Sequence, residues 1–396
     1  MKVLIVTPGW RTHFYMVAPL AWALRVSGHE VRVSSPPSGT AAILQAGLPA
    51  VALGPELDFM GIRQRASQHE DPLHERPDTY ESLDRMLDDS HAAEVLSAWY
   101  GVAFSATDDI VAFARAWRPD LVISDALCAG GLAAAHVVGV PAVRVLSTVD
   151  VLGSVDGEVL FSLPGYPEQF AAHDVVINGD PADVTVNPFP PSVLPAPTAS
   201  RREMRFVPYN GPARMPAWLL ERPARPRVCV TWGTSSNWFA DSGRFLVPDV
   251  IRALATADLE VLVTIGPEQR KLVGDVPDGV RLVENMPLHL LLPGSDLLIH
   301  QGGGSTMMTA AAAGVPQLVL PYLSEQIDVA QAIAGSGAGV AVGVDDADVP
   351  AIREQVAKLL ADQSCREAAE RLRQEILAQP SPLDTARMLA GLVGSA

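Results

Sequence analysis

Cysteine is scarce in this chain. Cys128, Cys229 and Cys365 are the only three in 396 residues, and they lie far apart. A set so sparse and odd in number fits a reducing compartment and excludes zinc sites of the usual cysteine spacing. Positive charge is also short, with 29 Lys and Arg against 45 Asp and Glu and a formal net charge of −16. A nucleic-acid surface needs basic stripes, so nucleic acid is not expected as a partner. An anionic ligand would have to be held by backbone amides, a histidine and local dipoles rather than by a basic field. Long apolar runs are missing too. No stretch reaches the roughly 18 residues that span a bilayer. The first residues, Met1 to Val6, run straight into a strand pattern rather than a signal peptide. A cytoplasmic protein with no stable membrane insertion is the expectation.

What is present is a globular composition, 48% hydrophobic and 19% charged. At 396 residues the chain exceeds one ordinary core, and two domains are expected. The first half alternates strands and helices: strands at 2–6, 30–34, 50–53, 121–124 and 142–145, helices at 17–27, 40–46, 110–117 and 126–138. That rhythm predicts a parallel, doubly wound sheet. Between them, residues 68–97 are polar and acidic and read as surface loop and helix, or as a lid or acceptor-contact segment. Residues 187–226 are rich in proline and cannot form a long central strand or helix. The later part of this run reads as an interdomain connection. The rhythm then restarts, with strands at 228–232, 260–265, 280–283, 297–299 and 317–320. Helices are expected at 243–256, 326–334 and 349–360, and two terminal ones at 365–379 and 381–393. The fold class is therefore α/β, with two doubly wound, Rossmann-like domains facing across a cleft.

The densest signal is His300-Gln301-Gly302-Gly303-Gly304-Ser305-Thr306, between the strand ending at Ile299 and a helix expected over 307–313. Glycines and hydroxyls at a strand-to-helix turn expose backbone N–H groups at the positive end of a helix dipole, a place suited to a diphosphate. His300 would add a donor. Packing alone can also produce such a turn. The pattern is not Gly-x-Gly-x-x-Gly, and no P-loop occurs anywhere, so a dehydrogenase or a P-loop enzyme fits poorly. Thr231-Trp232-Gly233-Thr234-Ser235-Ser236 is a second small, hydroxyl-rich turn able to touch the same ligand.

Other residues gather where strands end. His13 follows the first strand, where a neutral imidazole can take a proton from a hydroxyl; alternatively it is a satisfied structural histidine. Asp125 follows the strand at 121–124. It could orient His13, in a triad-like arrangement without the enzymic nucleophile, or cap the next helix. Glu325 and Gln326 offer acceptors and donors suited to sugar hydroxyls, or form a capping pair. Trp10, Phe14, Trp99, Phe104 and Trp238 could line an apolar acceptor pocket, or be core. The acidic clusters show no metal-ligand pattern.

Taken together these residues resemble the family 1 nucleotide-sugar-dependent glycosyltransferases of the GT-B fold, above all the actinobacterial enzymes that decorate macrolides and aromatic polyketides. The resemblance runs nearly the whole chain. It includes Thr12-His13-Phe14, Pro19 to Leu24, Ser27-Gly28-His29-Glu30-Val31, Pro119-Asp120-Leu121-Val122 through Asp125, and Val207-Pro208-Tyr209-Asn210-Gly211-Pro212. It continues with Asn285-Met286-Pro287-Leu288, His300-Gln301-Gly302-Gly303, Gly314-Val315-Pro316-Gln317 and Glu325-Gln326.

The resemblance implies transfer of a deoxysugar from a TDP-sugar to a hydroxyl or carbon nucleophile of an apolar natural product, with inversion. His13 would be the base and Asp125 its partner. His300, Gly303, Gly304, Ser305 and Thr306 would hold the diphosphate, flanked by Thr234 and Ser235. Met286 and Leu288 would frame the base, and Glu325 and Gln326 the sugar. No metal or prosthetic group is implied. It also implies an acceptor domain at 1–212, a linker at 213–226 and a donor domain at 227–375. A terminal helix at 376–396 would pack back on the first domain. A homodimer and an auxiliary activator protein are compatible with it. The sequence departs from the plant members at Asn285, where they carry Trp, and at Met308, where they carry a Glu for the ribose hydroxyls. An apolar Met there fits a deoxyribose. Gln301 stands where the bacterial branch has a second histidine. The alternatives are a nucleotide-sugar epimerase on the same fold and a non-catalytic auxiliary or binding protein on this scaffold.

Overall fold

Runs such as Val3-Leu4-Ile5-Val6 and Leu297-Leu298-Ile299 have no polar face, so their strands must be covered on both sides, which only a parallel sheet layered by helices provides. A computed structural model describes residues 1–56, 100–147, 165–194, 200–221, 223–233, 245–255 and 258–394, without the side chains of Ser324 and Glu325. The polar segment at 68–97 lies outside the described residues. The chain forms two units. One comprises Met1–Pro188, Ala196–Arg205 and Pro380–Ala396; the other comprises Phe189–Pro195 and Phe206–Gln379.

In the first unit the order is β1 (Lys2–Val6), α1 (Arg11–Val26), β2 (Glu30–Ser35), α2 (Pro37–Gln45), β3 (Ala50–Ala52), α3 (Thr107–Trp117) and β4 (Leu121–Asp125). It continues with α4 (Ala129–Val138), β5 (Ala142–Val145), α5 (Tyr166–Ala171), β6 (Val184–Asn187) and β7 (Arg201–Glu203). The seven strands pair in parallel, in the order β3-β2-β1-β4-β5-β6-β7. β6 and β7 were not expected. β7 is three residues long and sits at the sheet edge, the place a proline-rich stretch can still supply a strand. Helix α1 begins six residues earlier than its pattern predicts, so His13 stands in its first turn rather than in a loop.

The second unit contains β8 (Arg227–Thr231), α6 (Val247–Leu254), β9 (Glu260–Thr264), α7 (Pro267–Val273), β10 (Val280–Leu282), α8 (Leu288–Leu291) and β11 (Leu297–His300). After these come α9 (Gly304–Ala313), β12 (Gln317–Val319), α10 (Ser324–Ser336), β13 (Gly339–Ala341), α11 (Val349–Ala361) and α12 (Gln363–Ala378). Its six strands are also parallel, ordered β10-β9-β8-β11-β12-β13. The last helix, α13 (Pro382–Val393), belongs to the first unit and packs on α1. No helix among the described residues is long and apolar enough to cross a membrane.

The strand order of each sheet reverses once, between β1 and β4 and between β8 and β11. Neighbouring loops leave such a switch point on opposite sides of the sheet and open a crevice at the carboxyl ends of its strands. The other end of the second sheet is closed by charge. Buried Arg227 bonds Glu260 through Nε and Nη2 at 3.2 Å, and its N–H donates to Asp296 at 2.8 Å.

Candidate active site

His13 and Asp125 meet at the first switch point. β1 delivers the chain to α1, and β4 ends on Asp125. His13 Nδ1 lies 3.1 Å from Asp125 Oδ2 and 3.2 Å from Oδ1. A carboxylate can only accept, so Nδ1 carries a proton, and in the neutral ring the lone pair then lies on Nε2. The imidazole is 16% exposed and the carboxylate 5%. Asp125 Oδ1 also accepts from the N–H of Leu127 at 2.9 Å, so the local turn and the histidine share one carboxylate. Asp125 thus contacts both His13 and its own turn, while the N-cap position of α4 falls on Cys128, whose side chain makes no cap bond.

Trp10 lies beside His13, with ring centroids 5.2 Å apart and half-buried. The other expected pocket aromatics differ. Phe14 is 1% exposed and Phe104 packs edge-on to Tyr166 and Phe170, so both are core. Trp99 and Trp238 lie outside the described residues.

At the second switch point, α9 starts three residues earlier than its alanines suggest. Gly304, Ser305 and Thr306 are its first turn, half-exposed, and among the described residues no side-chain cap closes it at Gly303. Their N–H groups are the donors an anion would take. Gly302 has φ +102°, and a Cβ there would fall 2.9 Å from Gln326 Cβ and 3.0 Å from its carbonyl oxygen. Only glycine lets the turn press against α10.

His300 does different work from that expected of it. It is fully buried; its Nδ1 accepts the N–H of Gly302 at 3.0 Å, and its Nε2 donates to Gln317 Oε1 at 2.9 Å. Neither ring nitrogen is left for a phosphate. The imidazole shapes the turn whose amides remain available. Burial lowers its pKa from 6.5 to about 4, with the Gln317 hydrogen bond opposing the shift. The sign follows. The unfolded chain binds the proton more readily, so the contribution is complete above pH 6.5 and is lost as pH falls toward 4. Between pH 6.5 and 5 this group alone should cost roughly 1.5 kcal/mol of stability. Denaturation midpoints of the chain and of His300→Gln across that range measure it, and a slope unchanged by the substitution would contradict it.

The neighbouring Gln301 is 3% exposed, and its Oε1 has no hydrogen-bond partner among the described residues. Its amide nitrogen lies against Gly233 and Gly303, where β8 and β11 both end. Thr234 and Ser235 lie outside the described residues. Gln326 is buried, and its Oε1 accepts from the N–H of Tyr322 at 3.1 Å, which orients the carboxamide. The Glu325 side chain lies outside the description. Leu288 is buried in a cluster with Leu291, Leu292 and Leu298, and Met286 packs half-buried against it. The Met286 carbonyl accepts from Thr264 Oγ1 at 2.9 Å. Asn285 has φ +52°, a left-handed conformation that asparagine tolerates better than a bulky tryptophan. Met308 is fully buried, so it presents no surface to a sugar. The preference for a deoxyribose inferred from it loses its basis.

Gln269 was missed. It is 2% exposed, donates to the Gly233 carbonyl at 2.5 Å and accepts from the N–H of Gly266 at 2.9 Å. It thus joins the turns after β8 and β9. The available signal was a glutamine three residues into a helix opened by Gly266-Pro267. Among the described residues no group of His, Cys, Asp and Glu could hold a metal ion.

A hydrogen-bonded His13–Asp125 pair and a glycine-rich helix start stand at the switch points of two parallel sheets. Residues 22–233 match the N-terminal domain, and residues 248–392 the C-terminal domain, of the erythromycin biosynthesis protein CIII-like family. The 10-deoxymethynolide desosaminyltransferase of Streptomyces venezuelae is 34% identical over 96% of this chain and 95% of its own length. The aklavinone 7-beta-L-rhodosaminyltransferase of Streptomyces galilaeus is 35% identical, over 99% and 96%. The glycosyltransferase VinC, solved in complex with dTDP, superposes with a TM-score of 0.80 at 32% identity and covers 100% of both chains. The chain belongs to the erythromycin biosynthesis protein CIII-like family of GT-B natural-product glycosyltransferases.

Proposed function

We propose that this enzyme moves a deoxysugar from a TDP-sugar to a hydroxyl of an apolar natural product, or to a carbon nucleophile, with inversion at the anomeric carbon. The observation that carries the reading is the His13–Asp125 pair, which leaves Nε2 as the one basic ring nitrogen. Nε2 takes the acceptor proton as the acceptor atom bonds to the anomeric carbon. The bond from that carbon to the phosphate oxygen breaks, and TDP leaves with the electron pair. The N–H groups of Gly304, Ser305 and Thr306 meet the charge that develops on the leaving group. Asp125 stabilises the imidazolium that remains. Gln326, with its oxygen turned onto Tyr322, offers its amide hydrogens to the sugar. Thymidine rather than uridine is supported by the dTDP held in VinC and the thymidine diphosphate held in the similar rhamnosyltransferase SpnG.

Calorimetric titration with TDP and UDP tests the donor. TDP is expected to bind roughly tenfold or more tightly, the scale on which a pocket discriminates one small group. Equal affinity for UDP would overturn the thymidine assignment. Sugar isomerisation without any acceptor would overturn the transfer itself.

A further inference from the structure

Asn210 lies in the proline-rich segment ahead of β8, between Pro208 and Gly211, and is half-buried. Its side chain reaches two helices that are distant in sequence. Oδ1 accepts from the backbone N–H of His289 at 3.0 Å and lies 3.2 Å from His289 Nδ1. Nδ2 donates to Thr309 Oγ1 at 3.1 Å. His289 is the second residue of α8, which receives no side-chain cap from Pro287. Its N–H is one of the donors that a helix start leaves open, and Asn210 supplies the acceptor from 79 positions away. Thr309 is buried in α9, and its hydroxyl donates to the Ser305 carbonyl at 2.7 Å. That single hydrogen is spent, so Thr309 can only accept from Asn210. The site requires an acceptor toward α8 and a donor toward α9. A carboxamide provides both, whereas a carboxylate or an alkyl group does not.

We propose that Asn210 is a positioning residue that sets the spacing between the nucleoside side of the donor site, at Met286 to Leu288, and its diphosphate side, at Gly303 to Thr306. The inference rests on the donor reading given above. Both polar atoms of the Asn210 side chain bond within the protein. Asn210 holds the start of α8 and, through the Thr309 hydroxyl and the Ser305 carbonyl, the first turn of α9 in one frame, so that base and phosphates are met together. Preorganisation of this kind raises affinity by lowering the cost of ordering the site on binding.

Calorimetry of the full chain with TDP and with thymidine tests this. Asn210→Asp keeps the acceptor for His289 and loses the donor to Thr309. It is expected to weaken TDP about tenfold, the scale of one lost hydrogen bond, and to leave thymidine unchanged. Thr309→Val should give the same pattern, and the double variant should bind TDP no more weakly than either single one. Asn210→Ala releases both helices and should weaken both ligands. Melting temperatures of the unliganded Asp and Val variants should stay near that of the parent, separating a lost frame from a lost fold. The proposal is overturned if all three variants bind TDP as the parent does. It is also overturned if Asn210→Asp weakens thymidine and TDP by one common factor, or if the Asp and Val losses add in full. A parent chain that binds no TDP would instead remove the donor reading, and this inference with it.

Discussion

Replacing His13 by alanine should lower the rate of transfer by about 10²–10⁴-fold while leaving TDP affinity unchanged. The size follows from the chemistry. An alcohol is a weak nucleophile until a base takes its proton, and His13 Nε2 is the lone pair that the Asp125 contact leaves for that task. The affinity should survive because His13 belongs to the first unit, whereas the amides assigned to the phosphates belong to the second. Single-turnover rates with saturating TDP-sugar, alongside TDP titration, separate the two quantities. An unchanged rate would remove His13 from the chemistry. A fall in TDP affinity matching the fall in rate would mean that the substitution damages the fold instead.

Replacing His300 by alanine should do the reverse and act first on the donor. The imidazole bridges Gly302 N–H and Gln317 Oε1 in a place with no access to water. Its removal leaves both groups unsatisfied and opens a cavity, a loss on the order of 3 kcal/mol of stability. Gly302 is held at φ +102° partly by that bond, and the uncapped amides begin two residues later. TDP affinity should fall by roughly 10–100-fold, a loss of about one or two such hydrogen bonds' worth of order. Thermal melting and calorimetry read the two effects. Parent-like TDP affinity in a folded His300→Ala chain would show that the imidazole does not shape the phosphate turn.

The parallel sheets were readable because their central strands are apolar on both faces, and the runs at β1, β4, β8 and β11 stand out from the helices between them. Strand ends were readable for the same reason, and that located His13, Asp125 and the glycine turn. Helix starts were less so. Pro8-Gly9-Trp10 reads as loop, which concealed that His13 already stands in α1. The glycines of 302–304 hid the first turn of α9 in the same way. The orientation of buried polar groups was not readable at all. Nothing local distinguishes a histidine that faces a ligand from one that braces its own turn. His300 is settled by Gln317, which arrives on the next strand. The bond from Gln269 to Gly233, 36 residues away, and those of Asn210 to His289 and Thr309, 79 and 99 residues away, could not be read because these partners meet only once the sheet has formed. Met308 was misplaced because a motif position says which residue is present and not which way its helix is rolled.

The central claim is that the amides opening α9 bind the leaving diphosphate. A crystal structure of the chain with TDP measures this directly. Phosphate oxygens are expected at hydrogen-bond distance, about 3 Å, from the N–H groups of Gly304, Ser305 and Thr306. A diphosphate bound away from residues 302–306 would contradict the claim.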